Sequence, residues 1–310
     1  MTMHDTLPLH ANGVTLCLAE LLAYQPQTVH FLPPARPVWS TRIGQHQSRR
    51  LGRGMDFSEV RQYQAGDDIR AMDWRVTART GKPHTKLFSE ERERAVVLYI
   101  DLSQSMQFGS CLLLKSVQAA HLASLLSWLA VKQQDRVGAV IDLGQQLIEI
   151  KPTARQQGVL AILAACVTTQ QTPPSSHTDR KLTRQQVFTT LHRLCPKGSE
   201  VVLISDFTDL DPDQDALALR QLCRHNQVRM VQIFDPLECG DTSFRGIEQV
   251  QNRQETRWLN FSINSTRIGI KKAFETQKEK LESLCLLLAI DYRSISSGLP
   301  LLPQLSDYKK

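Results

Sequence analysis

The stretch from Val96 to Met106, Val-Val-Leu-Tyr-Ile-Asp-Leu-Ser-Gln-Ser-Met, constrains the fold more than any other part of this chain. It opens with five apolar residues without alternation, a pattern that suits a strand covered on both faces in a parallel sheet with helices on either side. The run stops at Asp101, Ser103 and Ser105. The loop that follows should lie at the carboxyl edge of the sheet, where ligands bind in open α/β folds. One carboxylate and two hydroxyls offer the hard oxygens that Mg²⁺ or Mn²⁺ prefers. The same residue types also cap helices, and both uses can share one loop.

The sequence downstream continues that design. Apolar residues at helical spacing predict a long helix over Cys111–Gln133, and Val137–Leu143 reads as a strand with Leu147–Ile150 as its hairpin partner. Helices are expected over Gly158–Val167 and Leu182–Leu194. Glu200–Asp206 repeats the opening pattern, an apolar strand that ends in a carboxylate. Asp209, Asp211, Asp213 and Asp215 then favour the start of a helix over Ala216–His225. Val228–Phe234 and Tyr292–Ser296 read as later strands, with an antiparallel excursion over 246–270 and a helix over Lys271–Ala289 between them. This alternation predicts an α/β class, a doubly wound and mostly parallel sheet, over residues 95–300. Residues 1–94 are expected to form a smaller, β-rich N-terminal extension with one short helix near Leu16–Tyr24, and 301–310 a tail.

Composition narrows the setting. No uncharged apolar run is long enough for a bilayer, because Gln118 and His121 interrupt Ser116–Val131, the best stretch. The N-terminus carries no basic-then-apolar leader. The seven cysteines lack a Cys-x-x-Cys pair and read as reduced thiols of a cytoplasmic protein. Net charge is +6, and between Arg36 and Arg94 thirteen Lys and Arg stand against eight Asp and Glu. Such a segment can attract an acidic protein face, nucleic acid or anionic lipid.

Within that basic segment lie Gly52-Arg53-Gly54-Met55-Asp56-Phe57, Arg61-Gln62-Tyr63 and the run from Gly66 to Arg79. The run contains Gly66, Asp67, Asp68, Arg70, Asp73, Trp74 and Arg79, and its acids alternate with arginines. It reads as a salt-bridged structural network with Asp73 as a paired acid and Trp74 as its apolar anchor. In order, these elements and the Asp-x-Ser-x-Ser-Met strand end resemble the bacterial family labelled "domain of unknown function 58". Residues 44–106 match its pattern nearly continuously, and Asp235-Pro236-Leu237-Glu238 extends the match.

That resemblance implies a von Willebrand factor A-like domain. In such domains Asp-x-Ser-x-Ser opens a metal-ion-dependent adhesion site, which assigns Asp101, Ser103 and Ser105 as ligands of Mg²⁺ or Mn²⁺. Asp206 matches the carboxylate that completes the site through water. A threonine after the third strand usually contributes too; only Thr153 offers itself, earlier than the family spacing would place it. The resemblance also implies partnership with a MoxR-type AAA+ ATPase and with other von Willebrand factor A-like proteins. The expected role is a non-enzymatic adaptor that binds a partner's carboxylate. The alternatives are a metal-dependent phosphohydrolase, disfavoured because Ser103 stands where a second Asp would act as general acid, and nucleic-acid binding through residues 36–94, which lack a recognised motif.

Overall fold

The computed structural model describes residues 7–31, 55–64, 67–90, 94–171, 182–242, 244–251 and 256–306. In chain order the elements begin with α1 (Leu18–Leu22) and α2 (Tyr24–Gln27), followed by β1 (Met55–Gln62), α3 (Trp74–Thr80) and β2 (His84–Glu90). Then come β3 (Ala95–Asp101), α4 (Lys115–Lys132), β4 (Arg136–Asp142), β5 (Leu147–Thr153), α5 (Gln156–Gln171) and α6 (Arg184–Leu194). The series ends with β6 (Glu200–Ser205), α7 (Pro212–Cys223), β7 (Gln227–Phe234), β8 (Ile247–Gln251), β9 (Thr256–Asn260), α8 (Asn264–Leu288), β10 (Asp291–Ser296) and α9 (Leu301–Ser306). Two compact units result, Met1–Trp39 together with Arg94–Lys310, and Ser40–Glu93.

The larger unit is a mixed α/β structure around a six-stranded sheet of order β10-β7-β6-β3-β4-β5, parallel except for β5. Every residue of β3 is buried, as its unbroken apolar run requires. Its side chains alternate between two cores. Val96, Leu98 and Ile100 join α4, α5 and the N-terminal helices, whereas Val97 and Tyr99 join α6, α7 and α8. Because parallel strands share one direction, the carboxyl ends of β3, β4, β6 and β7 converge on one edge. Register sets Asp101 level with Asp142.

Helix α4 is buried nearly all round, and both of its buried serines past the first turn find backbone partners. Ser124 Oγ donates to the Leu21 carbonyl at 2.6 Å, and Ser127 Oγ to that of Ala123 at 2.7 Å. The Leu21 contact shows that residues 7–31 belong to this unit: Leu16, Leu21 and Tyr24 lie in its core. Residues 1–94 are thus not a single extension, and the part before 32 carries short helices from Leu18 on and no strand among its described residues. Nor does the unit end at 300, since Leu301 and Leu305 are buried in the same core; residues 307–310 lie outside the described residues. The smaller unit is built on β1 and β2, which pair antiparallel with one irregularity between Phe57 and Glu59. Gly52, Gly54 and Gly66 lie outside the described residues.

Leu21→Ala tests the placement of the N-terminal helices. The side chain has no exposed surface, so its truncation should cost about 2–5 kcal/mol in urea unfolding. A loose extension would lose almost nothing.

Candidate functional site

The carboxyl edge of the sheet gathers the residues that the sequence singled out. Asp101 ends β3 with 3% of its surface exposed. Its Oδ1 accepts the Ser103 N–H at 3.0 Å and its Oδ2 the Ser205 hydroxyl at 2.6 Å. A short 3₁₀ turn over Gln104–Met106 brings Ser105 back, so that the Ser103 and Ser105 Oγ atoms lie 3.4 Å apart. Gly144 at φ +80° sits against Ser103, with its notional Cβ 3.5 Å from the serine Cβ. Just past the neighbouring strand β6, Asp206 is also 3% exposed and accepts from the Thr208 N–H at 3.1 Å and hydroxyl at 3.0 Å. The next residue, Phe207, takes φ +53°, which bulky side chains rarely adopt; its N–H donates to Ser205 Oγ at 3.1 Å.

Lys115 was not anticipated. It opens α4 with 1% exposure, and its Nζ donates to Asp206 Oδ2 at 2.9 Å and to Glu238 Oε1 at 2.5 Å. Burial pulls the ammonium's pKa down, but the two carboxylates more than offset that and hold it above its ordinary value. Burial likewise works to raise Asp206, yet Lys115 and the bonds from Thr208 and Ser105 keep it low. Burial lifts Glu238 above the usual range despite Lys115. For Asp101, burial first, then the charges of Asp206 and Asp142, push the carboxyl up to about 6 against the bonds from Ser103 and Ser205.

Asp142 and Asp235 were also missed. Asp142 accepts the Tyr99 hydroxyl at 2.8 Å and the Gly144 N–H at 2.7 Å. Asp235 is fully buried and accepts from the Ser110 N–H at 2.8 Å, the Ser110 hydroxyl, the Leu237 N–H at 2.9 Å and the Ser297 hydroxyl at 2.8 Å. The Asp235-Pro-Leu-Glu238 string thereby ties together the loops that follow β3, β7 and β10. Signals existed for both residues: Asp142 ends an apolar strand as Asp101 does, and the string had already been noticed as a sequence marker.

Thr153 does not belong to this site. Strand β5 runs antiparallel to β4, with Leu147 opposite Asp142 and Thr153 opposite Val137. The threonine therefore lies about 17 Å along the strand from the Asp142 level, at the amino edge of the sheet. Its buried Oγ1 has no hydrogen-bond partner.

The remaining donors suit a hard divalent cation: two carboxylates and two hydroxyls, all oxygen. The electrostatics agree: besides burial, the charges of Asp206 and Asp142 act on Asp101 and raise it. Among the described residues no group of three or more His, Cys, Asp or Glu is arranged to hold a metal, so such a site rests on its serines. A small cleft of about 40 Å³ opens beside Asp101, lined by Tyr99, Phe188, Leu203, Phe207 and Arg184.

Of the aspartates after β6, two serve the start of α7: Asp211 Oδ1 accepts the Asp213 N–H at 3.0 Å, and Asp215 Oδ2 that of Asp211 at 3.0 Å. All seven cysteines are free thiols.

In the smaller unit the motif acids also build turns. Asp67 accepts the Gln64 N–H at 2.8 Å and pairs with Arg61 at 2.7 Å; Asp68 accepts the Arg70 N–H at 2.9 Å. Asp73 caps α3, accepting from the Arg75 and Val76 N–H groups at 3.0 and 3.1 Å, with Lys86 3.7 Å away. The expected network is thus mainly backbone caps with two ion pairs, Arg61–Asp67 and Lys86–Asp73, and Trp74 is no buried anchor, being 66% exposed. Arg70 and Arg79 are exposed as well.

Comparison with known proteins places the chain among relatives. The family described as "Protein of unknown function DUF58" matches residues 59–281. An uncharacterized protein of Mycobacterium tuberculosis and one of Mycobacterium bovis are each 31% identical to it over 193 residues, 62% of this chain. The chain spans 59% of the length of these curated relatives. Among solved structures, the conserved hypothetical protein BatB of Bacteroides thetaiotaomicron is similar at 14% identity and a TM-score of 0.36, over 62% of this chain and 98% of that one. An aerotolerance-related membrane protein of Bacteroides fragilis gives 12% and 0.39, over 69% and 96%. Likenesses this loose carry no argument about the present chain. No helix among the described residues is long and apolar enough to cross a membrane.

Two substitutions probe the electrostatics. Asp101 titrates near 6 in the folded chain against an ordinary 3.8. Over that interval the folded state holds the extra proton, so stability falls as pH rises, and the full penalty is present above about 6. In chelator, Asp101→Asn should stabilise the protein at pH 7–8 by on the order of 1–3 kcal/mol, a gain that vanishes below about pH 4. Urea unfolding across that range checks both sign and window. Lys115→Met should cost about 3–5 kcal/mol by stranding two carboxylates, and adding Asp206→Asn should recover part of the loss.

Proposed function

The chain belongs to the DUF58 family, and on that premise we propose that it is a non-enzymatic adaptor that works with a MoxR-type AAA+ ATPase. In this reading its larger unit is von Willebrand factor A-like and binds an acidic side chain of a partner at the Asp101 edge. The observation that carries the reading is the convergence of Asp101, Ser103, Ser105 and Asp206 on one sheet edge, with an excess of buried negative charge. The ATPase partner rests on the family resemblance alone.

Each residue has a part in holding Mg²⁺ or Mn²⁺. Asp101 contributes the charged oxygen, and the facing hydroxyls of Ser103 and Ser105 contribute neutral ones. Asp206, engaged by Lys115 and Thr208, suits an outer role. The bound ion supplies an electrophilic position that a carboxylate from another protein can fill. Thr153 has no part, so this set is one donor short of the usual adhesion site. Weak affinity for the free ion, strengthened when a partner's carboxylate arrives, follows from that shortage. The residue two beyond Asp101 is Ser103, which cannot act as the general acid of a phosphoryl-transfer pair, and this supports binding over catalysis.

The test is a pull-down from native cells with Mg²⁺ and with chelator, followed by calorimetry on the captured protein. Wild type should retain an AAA+ ATPase only with Mg²⁺, and Asp101→Ala should lose it while melting no lower than wild type. Retention in chelator by that variant would defeat the adhesion mechanism.

A further inference from the structure

The function above leaves the Gly66–Arg79 motif without a task beyond its turns, and the structure divides that motif unevenly. Its acids are consumed internally: Asp67 by Arg61 and Gln64, Asp68 by the Arg70 N–H, Asp73 by the start of α3. Its basic and aromatic side chains point outward. Trp74, Arg75, Ala78 and Arg79 are all exposed, and their spacing puts them on one face of α3. Ile69 on the preceding turn is 63% exposed and Trp74 66%. Among the described residues none of Arg70, Arg75 and Arg79 forms an ion pair.

This arrangement does nothing for the fold. Arg75 and Arg79 repel each other one turn apart, and an exposed Trp and Ile forgo burial. Trp and Arg are the residues that most often dominate protein interfaces when a partner covers them. We infer that this face of the smaller unit is a docking surface for a protein segment that presents carboxylates around an apolar side chain. Carboxylates match the guanidinium groups, and the exposed Trp74 ring, one helical turn from the small side chain of Ala78, offers the contact for the apolar group. Nucleic acid fits less well, since a strand needs successive aromatic platforms and this face has one. Anionic lipid also fits less well, because α3 is only seven residues long and its exposed apolar side chains are few, too little apolar face to seat in a headgroup layer. Its residues belong to the smaller unit, none of them is among the metal ligands proposed above, and binding here does not depend on metal.

Binding of a labelled peptide of alternating Glu and Leu to the full chain, followed by fluorescence anisotropy in chelator, tests the inference. A Glu/Ser peptide, a single-stranded oligonucleotide and phosphatidylglycerol vesicles serve as rival probes. The Glu/Leu peptide should bind best, weaken with salt, and bind about tenfold or more less tightly to Trp74→Ala and to Arg75→Glu with Arg79→Glu. Asp101→Ala should bind it as wild type does. These exposed positions tolerate Ala and Glu in a helix, so an unchanged circular dichroism spectrum and melting curve would accompany the loss. No binding of the Glu/Leu peptide, equal binding by the variants, or a preference for oligonucleotide or vesicles would overturn the assignment.

Discussion

The buried ammonium of Lys115 is the interaction on which the functional edge depends. A lysine that is 1% exposed is tolerable only because two carboxylates meet it, at 2.9 and 2.5 Å. In return it joins the first residue of α4 to the end of β6 and to the loop after β7. These elements are distant in sequence, and Lys115 sets where Asp206 can reach. It also holds Asp206 low, so that the charge of Asp206 adds to burial in raising Asp101. The edge is thus polarised, with one carboxylate paired to an internal ammonium and its neighbour held only by hydroxyl and N–H donors.

The parallel sheet makes that polarisation possible. Strands β3, β4 and β6 each finish an apolar run with an acid at or just past the last strand residue, and the crossovers bring all three to one side. Three acids in sequence, each harmless in a separate strand, become a negative cluster only after folding. The cost is offset by hydroxyls and N–H groups from the adjoining loops, each within ordinary hydrogen-bonding distance.

Much of this was legible in the residues. An unalternating apolar run can hardly be anything but a doubly covered strand, and β3 follows. Carboxylate-ended strands revealed Asp101 and Asp206. The hairpin reading of Leu147–Ile150 already implied that the chain returns to the amino edge, so Thr153 could have been set aside by direction alone. Lys115 was hidden because a lysine at the boundary of an apolar helix looks like a solvated end; its partner Glu238 lies 123 residues away. Trp74 misled because a large apolar side chain among charges suggests an anchor, whereas the acids around it satisfy backbone N–H groups and leave the ring outside. In α9, Pro303 and the short length masked the burial of Leu301 and Leu305.

The knot at Asp235 has an evolutionary consequence. One carboxylate accepts bonds from Ser110, Leu237 and Ser297, so the loops after β3, β7 and β10 cannot drift in length one at a time. A residue inserted in any of them would pull a donor from a fully buried acid, and only a compensating change in the other two could restore it. Relatives should therefore vary freely in the β8–β9 hairpin and keep these three loops in step. Grafted tags, permuted termini or inserted domains would be tolerated by the same rule.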